Sequence, residues 1–160
     1  MYKCYTGVGS RSVPSNIIED IKEIAKYLSK QGWTLRSGGA LGCDKAFEYS
    51  AEQKEIFYAN DVTQAAMNIA KQYHPAWDRC SEFAKKLHGR NAFQVLGRTL
   101  KTPSKFLICW TPDGCRTHQD RTIKTGGTGT AISIADNYKV KVFNLNNKED
   151  YQTIINKIRE

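Results

Sequence analysis

Glycine punctuates this chain where strands would hand over to helices. Lys3 to Gly9 carries the strand formers Cys4, Tyr5 and Val8 and breaks at Gly7-Val8-Gly9-Ser10. Trp33-Thr34-Leu35-Arg36-Ser37 runs straight into Gly38-Gly39-Ala40-Leu41-Gly42. A third run, Gly126-Gly127-Thr128-Gly129-Thr130, opens onto the helical pattern Ala131–Asn137. A chain broken in this way folds most readily as alternating strands and helices, with tight turns between them.

The remaining pattern completes the alternation. Val13-Pro14-Ser15-Asn16 is a helix-start signal, and Ile17, Ile18, Ile21, Ile24, Ala25 and Leu28 follow at helical spacing until Gln31-Gly32. A helix from about Cys43 to Gln53 and a short strand Ile56-Phe57-Tyr58-Ala59 are predicted next. The stretch from about 60 to 102 is long and helical in pattern, interrupted by His74-Pro75-Ala76-Trp77, and reads as two or three inserted helices. Lys105 to Trp110 is a continuous apolar run, as a strand buried on both faces requires, and Pro112-Asp113-Gly114 turns it. A last strand, Val140 to Leu145, and a closing helix, Tyr151 to Ile158, follow. The expected fold is α/β: one domain spanning 1–160, with a Rossmann-like, mostly parallel sheet, helices on both faces and a helical insertion at about 60–102. A length of 160 residues suits one domain with a real core.

Composition narrows the setting. No apolar run is long enough to span a bilayer, and the first residues lack the apolar stretch of a signal peptide, so a cytoplasmic protein without membrane association is expected. The five cysteines are odd in number, irregularly spaced and without a C-x-x-C pair, which argues for reduced thiols. Cys115-x-x-His118 is half a zinc pattern with no second half, so neither a metal nor a cofactor is expected. The net charge of +8 suggests an anionic partner: nucleic acid, nucleotide or membrane surface. The basic residues are spread along the chain, and a merely solvated surface explains them equally well.

In a parallel sheet, ligands bind at the carboxyl ends of the strands, where all three glycine loops fall. Glycine lets backbone approach a ligand, and a helix N-terminus adds amide donors and partial positive charge. Neither a Walker A loop nor the dinucleotide fingerprint is present: no Gly-Lys-Ser/Thr follows at the right spacing, and Ser12 stands where Gly7-x-Gly9 needs a third glycine. Asp44 and Glu48, one helical turn apart, are candidate acid/base groups, and Asp44 serves equally as a ribose contact or a helix cap. Arg90, Asn91 and Gln94, in His88-Gly89-Arg90-Asn91-x-x-Gln94, can meet a phosphate and a base or ribose, or form a solvated helix face. Arg11 and Arg36 flank the first two loops with the same ambiguity. Trp77 can stack on a base. Trp110 can stack or serve as core, Asp113 can contact a ligand or simply turn the chain, and His74 reads as a turn residue.

Ser37-Gly38-Gly39-Ala40-x-Gly42-x-Asp44, the segment Cys109-Trp110-Thr111-Pro112-Asp113-Gly114 and the run Gly126–Thr130 together resemble the SLOG superfamily, which contains DprA-type DNA recombination mediators, Lonely Guy phosphoribohydrolases and small phage-encoded proteins. The resemblance covers nearly the whole chain outside the insert. It implies a nucleotide-type ligand with its phosphate on Gly127–Thr130 and its base or ribose near Gly7–Arg11 and Gly39–Asp44. The ligand-binding set expected on these grounds is Gly7, Gly9, Ser10, Arg11, Ser37, Gly38, Gly39, Asp44, Arg90, Asn91, Gln94, Trp110, Thr111, Asp113, Gly126, Gly127, Thr128, Gly129 and Thr130. Lonely Guy enzymes carry P-G-G-x-G-T-x-x-E; here Thr125 stands at the proline and Ser133 at the glutamate that helps cleave the N-glycosidic bond. Serine cannot stabilise an oxocarbenium ion as a carboxylate does. The expectation is therefore a homo-oligomeric viral protein that binds a linear or cyclic nucleotide signal, sequestering it in an anti-defence role. A nucleotide N-glycosidase using Glu48 or Asp44 is the alternative, and DprA-like binding of single-stranded DNA a further one.

Overall fold

The computed structural model describes residues 2–160. Five strands, β1 (Cys4–Gly7), β2 (Thr34–Ser37), β3 (Lys54–Ile56), β4 (Phe106–Cys109) and β5 (Lys141–Asn144), form one sheet in the order β3-β2-β1-β4-β5. Every neighbouring pair is parallel. The architecture is α/β and Rossmann-like, as the alternation predicts.

Six α-helices accompany the sheet among the described residues: α1 (Ser15–Lys30), α2 (Cys43–Ser50), α3 (Gln64–Lys71), α4 (Glu82–Leu96), α5 (Thr128–Asn137) and α6 (Lys148–Ile158). Alternation along β4 divides the interior in two. Leu107 and Cys109 face a core shared with α4 and α5, and Ile108 faces a core shared with α1 and α2. Leu107 and Ile108 are at most 1% exposed, so each contributes about 1.5–3 kcal/mol by burial. In α1 the predicted stripe is the buried one, with Ile17, Ile21, Ile24, Ala25 and Leu28 all inward.

Several boundaries differ from expectation: α5 and α6 each begin three residues earlier than predicted, and β3 and α2 differ as follows. β3 is Lys54–Ile56, pairing Lys54, Glu55 and Ile56 with Leu35, Arg36 and Ser37, and not Ile56–Ala59. It is an edge strand, so its register follows backbone pairing and the ion pair of Glu55 with buried Arg36 (3.3 Å) rather than an apolar run. Phe57 leaves the strand and stacks on Phe93, ring centroids 5.6 Å apart. α2 stops at Ser50, three residues before its predicted end, because Ala51 is already extended.

The 60–102 segment holds two α-helices, each with a side-chain cap: Thr63 accepts from the Ala66 amide and Ser81 from the Ala84 amide. α4 is the crossover from β3 to β4, packed on β1, β2 and α5, and α3 packs against α4. This long crossover puts α4 above the carboxyl ends of the central strands.

Candidate functional site

β1 and β4 are neighbours, but the chain leaves β1 toward β2 and leaves β4 toward β5. Loops diverge at such a switch point and open a crevice. A cleft of about 260 Å³ lies there, lined by Val8–Arg11 after β1, Ala40 and Asp44 after β2, one face of α4 from Ala84 to Gln94, and Lys124–Thr128.

The first loop is fixed to both neighbours. The amides of Val8 and Ser10 donate to the carbonyls of Ile108 and Trp110, and Cys43 N–H donates to Ser10. Gly9 has φ +154°, and a Cβ there would sit 2.6 Å from Cys43 Sγ, so only glycine fits.

The third loop is held from below. Asp113 accepts from Thr111 Oγ1 (2.8 Å), Thr122 Oγ1 (2.7 Å), Thr125 Oγ1 and the Cys115 amide (3.3 Å). Burial alone would raise its pKa, but these bonds from Thr125, Thr122, Thr111 and Cys115 overturn that and hold it below the ordinary carboxylate value. The clamp sets the 3-10 turn Ile123–Thr125, and Gly126, at φ +66°, redirects the chain into α5. At Gly127 an added Cβ would meet nothing within 4 Å, so this backbone borders open space at a helix N-terminus where the Gly129 and Thr130 amides donate to the Gly126 and Gly127 carbonyls and the Gly127 and Thr128 amides remain free.

α4 joins the second and third loops. Arg90 Nη1 donates to the Gly38 carbonyl (2.9 Å) and Asn91 Nδ2 to the Gly127 carbonyl (3.3 Å). With its amide oriented to suit its neighbours, Gln94 donates to Asn91 Oδ1 (2.9 Å) and accepts from the Gly38 amide and Arg90 Nε (both 3.3 Å). A side chain at Gly38 would strike Gln94 and Arg90.

Arg11, Arg90 and Lys124 share the cleft wall with one carboxylate, Asp44, on which Arg90 acts directly. Burial pushes the Asp44 carboxyl up to about 6, even though Arg90 and the amides of Ala40, Gly38 and Gly9 pull it down. Burial, then His74, Arg121 and Arg90, push the His88 imidazole down to about 4. The cleft therefore combines cations, free amides and a carboxyl that titrates near neutrality. That set suits a compact anion carrying hydroxyl groups.

The structure brings Gly9, Ser10, Arg11, Asp44, Arg90, Asn91, Gln94, Gly126, Gly127 and Thr128 to the cleft wall. The other candidates lie behind it. Gly7 packs under Phe47 and Leu35, and its carbonyl accepts from Ser37 Oγ (2.5 Å). Gly39 lies beside Ile56 and Tyr58, and Gly129 against Arg121. Trp110 is core, Thr111 accepts from Asn144 Nδ2 (2.8 Å), and Asp113 clamps the loop. Thr130 is fully buried, its Oγ1 3.1 Å from His88 Nδ1. Glu48 lies outside the lining, 3.6 Å from Lys45, and Arg36 is buried against Glu55 and the Thr102 carbonyl. Ser133 is buried, within 2.9 Å of Arg121 and 2.7 Å of His118.

Three polar lining residues had no binding role assigned from sequence: His88, Lys124 and Thr125. Each carried a signal, since His88 precedes Asn91 by three residues and Lys124-Thr125 leads directly into the glycines. Among the described residues, one trio presents metal-ligand atoms together: His74, Cys80 and His88, within 4.8 Å of one another. Cys115 and His118 engage other partners, the Thr117 carbonyl and Ser133. No described helix is long and apolar enough to cross a membrane. Comparison with known protein families, with curated proteins and with solved structures returns no match to this chain.

Proposed function

We propose that the cleft binds a small phosphorylated ligand of nucleotide type and holds it without turning it over. The observation that carries this reading is the open backbone seat at Gly126–Thr128, facing Arg11, Arg90 and Lys124. A phosphate there meets free amides, a helix N-terminus and cations together, and charge-assisted bonds of this kind contribute about 1.5–3 kcal/mol each. Asp44 is placed to accept ribose hydroxyls. The cleft's 260 Å³ falls just under the roughly 300–1,000 Å³ of ordinary small-molecule sites, which favours a mononucleotide-sized portion over an enclosed polymer. A larger groove, about 660 Å³, lies at the amino ends of the strands, but its wall is chiefly apolar (Ile24, Tyr27, Leu28, Trp33, Phe106, Phe143) and lacks converging anion-binding groups.

Two positions support holding over cleaving. Glu48 is away from the cleft, and Ser133 is tied to Arg121 and His118. Sequestration of a linear or cyclic nucleotide signal, the role implied by the resemblance to small phage-encoded SLOG proteins, fits a site of this kind. One observation favours the N-glycosidase as a second reading: Asp44 lines the cleft and titrates near 6, within reach of acid/base work at neutral pH. Exposed Leu41, Phe83 and Ile123 adjoin the lining residues Ala40, Ala84 and Lys124, which fits a second copy of the chain closing over the mouth.

Thermal-shift and native mass spectrometry across nucleotides and cyclic nucleotides test the reading. At least one should bind and raise Tm, with no free base released. Gly127→Asp should abolish that shift by placing a carboxylate in the seat. The variant itself should melt no lower than the parent, because position 127 has ordinary right-handed backbone open to any side chain and a carboxylate at the N-terminus of α5 is favoured by the helix dipole. Ligand binding undiminished in Gly127→Asp refutes the seat, and free base appearing over time decides for the enzyme.

A further inference from the structure

Beside the cleft, and independent of any nucleotide, lies the histidine–cysteine trio. We propose that His74, Cys80 and His88 form a binding site for a zinc-type divalent transition-metal ion at the edge of the cleft. The three residues come from separate local settings: His74 from the turn after α3, Cys80 from just before the Ser81 cap of α4, and His88 from α4 itself. Docking of α3 on α4 brings them together.

The geometry fits tetrahedral coordination. His74 Nε2 lies 3.6 Å from Cys80 Sγ. Bonds of about 2.3 Å to sulfur and 2.0–2.1 Å to nitrogen, at a tetrahedral angle, require a separation of about 3.6 Å. The two imidazole rings stand at 71° with centroids 4.3 Å apart, so they meet edge to face rather than stacking flat. His88 Nδ1 is hydrogen-bonded to Thr130 Oγ1, which leaves Nε2 free and matches the outer partner that orients ligating histidines. A nitrogen–nitrogen–sulfur set selects zinc or a similar borderline ion over calcium or magnesium.

Binding changes two protons. The Cys80 S–H bond breaks as the metal–sulfur bond forms, and that proton goes to solvent. The Ala76 amide donates to His74 Nδ1 at 3.0 Å, so the neutral ring carries its proton on Nε2. That proton must move to Nδ1 through solvent, and the Ala76 contact opens. No oxidant or reductant is involved. Three protein ligands leave one corner of the tetrahedron for water or a ligand oxygen, and His88 also lines the cleft.

The test uses chelator-stripped full-length protein titrated with Co²⁺ and then Zn²⁺, with no nucleotide present. The expected result is one ion per chain, with the thiolate charge-transfer band and strong d–d absorption of tetrahedral Co²⁺, bleached by Zn²⁺. Cys80→Ser should remove the charge-transfer band. Thr130→Val should keep it while weakening affinity about 10- to 100-fold. Cys115→Ser should change neither. Absence of the band in the parent protein at micromolar Co²⁺ overturns the proposal, as does its retention in Cys80→Ser or its loss in Cys115→Ser. Circular dichroism checks the fold of Cys80→Ser; should that variant unfold, the parent titration and Cys115→Ser still decide. A negative result leaves the nucleotide reading untouched, because that reading does not use Cys80.

Discussion

At the scale of single residues, Asp44 carries a clear energetic signature. Its carboxyl titrates near 6 in the folded chain against 3.8 ordinarily. A group whose pKa is higher folded than unfolded lends stability that is complete below the unfolded value and is lost as pH rises through the folded one. The difference corresponds to about 3 kcal/mol. Asp44→Asn should therefore stabilise the protein by about 1–3 kcal/mol at pH 7.5, yet change little at pH 4. Urea denaturation at the two pH values checks this, and equal effects at both would show that Asp44 is ionised without penalty. The sequence showed Asp44 as a carboxylate beside a glycine loop. It could not show the burial among the amides of Ala40, Gly38 and Gly9, nor Arg90, which α4 brings beside it from nearly fifty residues away in the chain. Arg36 shows the same limit from the other side. It resembled a loop-flanking cation, but Glu55 and the Thr102 carbonyl, both distant in sequence, make it a buried strut.

At the scale of elements, the anion seat depends on the loop that leads into α5. Asp113 ties that loop to the end of β4 through Thr111, Thr122, Thr125 and Cys115. Asp113→Ala should cost about 1–3 kcal/mol of stability and loosen residues 122–127, seen as faster amide hydrogen exchange there and weaker nucleotide binding. Because the folded pKa of Asp113 is depressed, its contribution is present above the ordinary carboxylate range and fades as pH falls through the folded value. The parent should thus lose stability in acid faster than Asp113→Ala does. Unchanged exchange in the loop would show that Asp113 is not its clamp. Elements with a strong local signal were legible: α1 from its proline and isoleucine spacing, β4 from its apolar run. β3 was not, since an edge strand takes its register from its partner. α4 was seen as helical but not as the crossover, because Asn91 and Gln94, buried by the cleft, interrupt the apolar stripe that marks a helix lying on a sheet.

At the scale of the whole molecule, +8 of net charge favours the approach of anions in general, and in the proposed function selection falls to the cleft's own cations. Ile123, 97% exposed beside Lys124, is the most solvent-facing large apolar residue among the described residues and the natural probe for closure of the mouth by a second copy. Ile123→Glu should leave stability within about 0.5 kcal/mol of the parent and shift sedimentation toward the monomer. A parent that already sediments as a monomer rules the closure out. The long β3-to-β4 crossover adds a temporal consequence. The cleft joins residues 9–11, 88–94 and 124–128, so it exists only after contacts of large sequence separation have closed, late in folding. A nucleotide cannot grip a half-formed cleft. Saturating ligand should therefore slow unfolding in proportion to its binding energy while leaving the refolding rate nearly unchanged, so that occupancy is recorded in the lifetime of the native state.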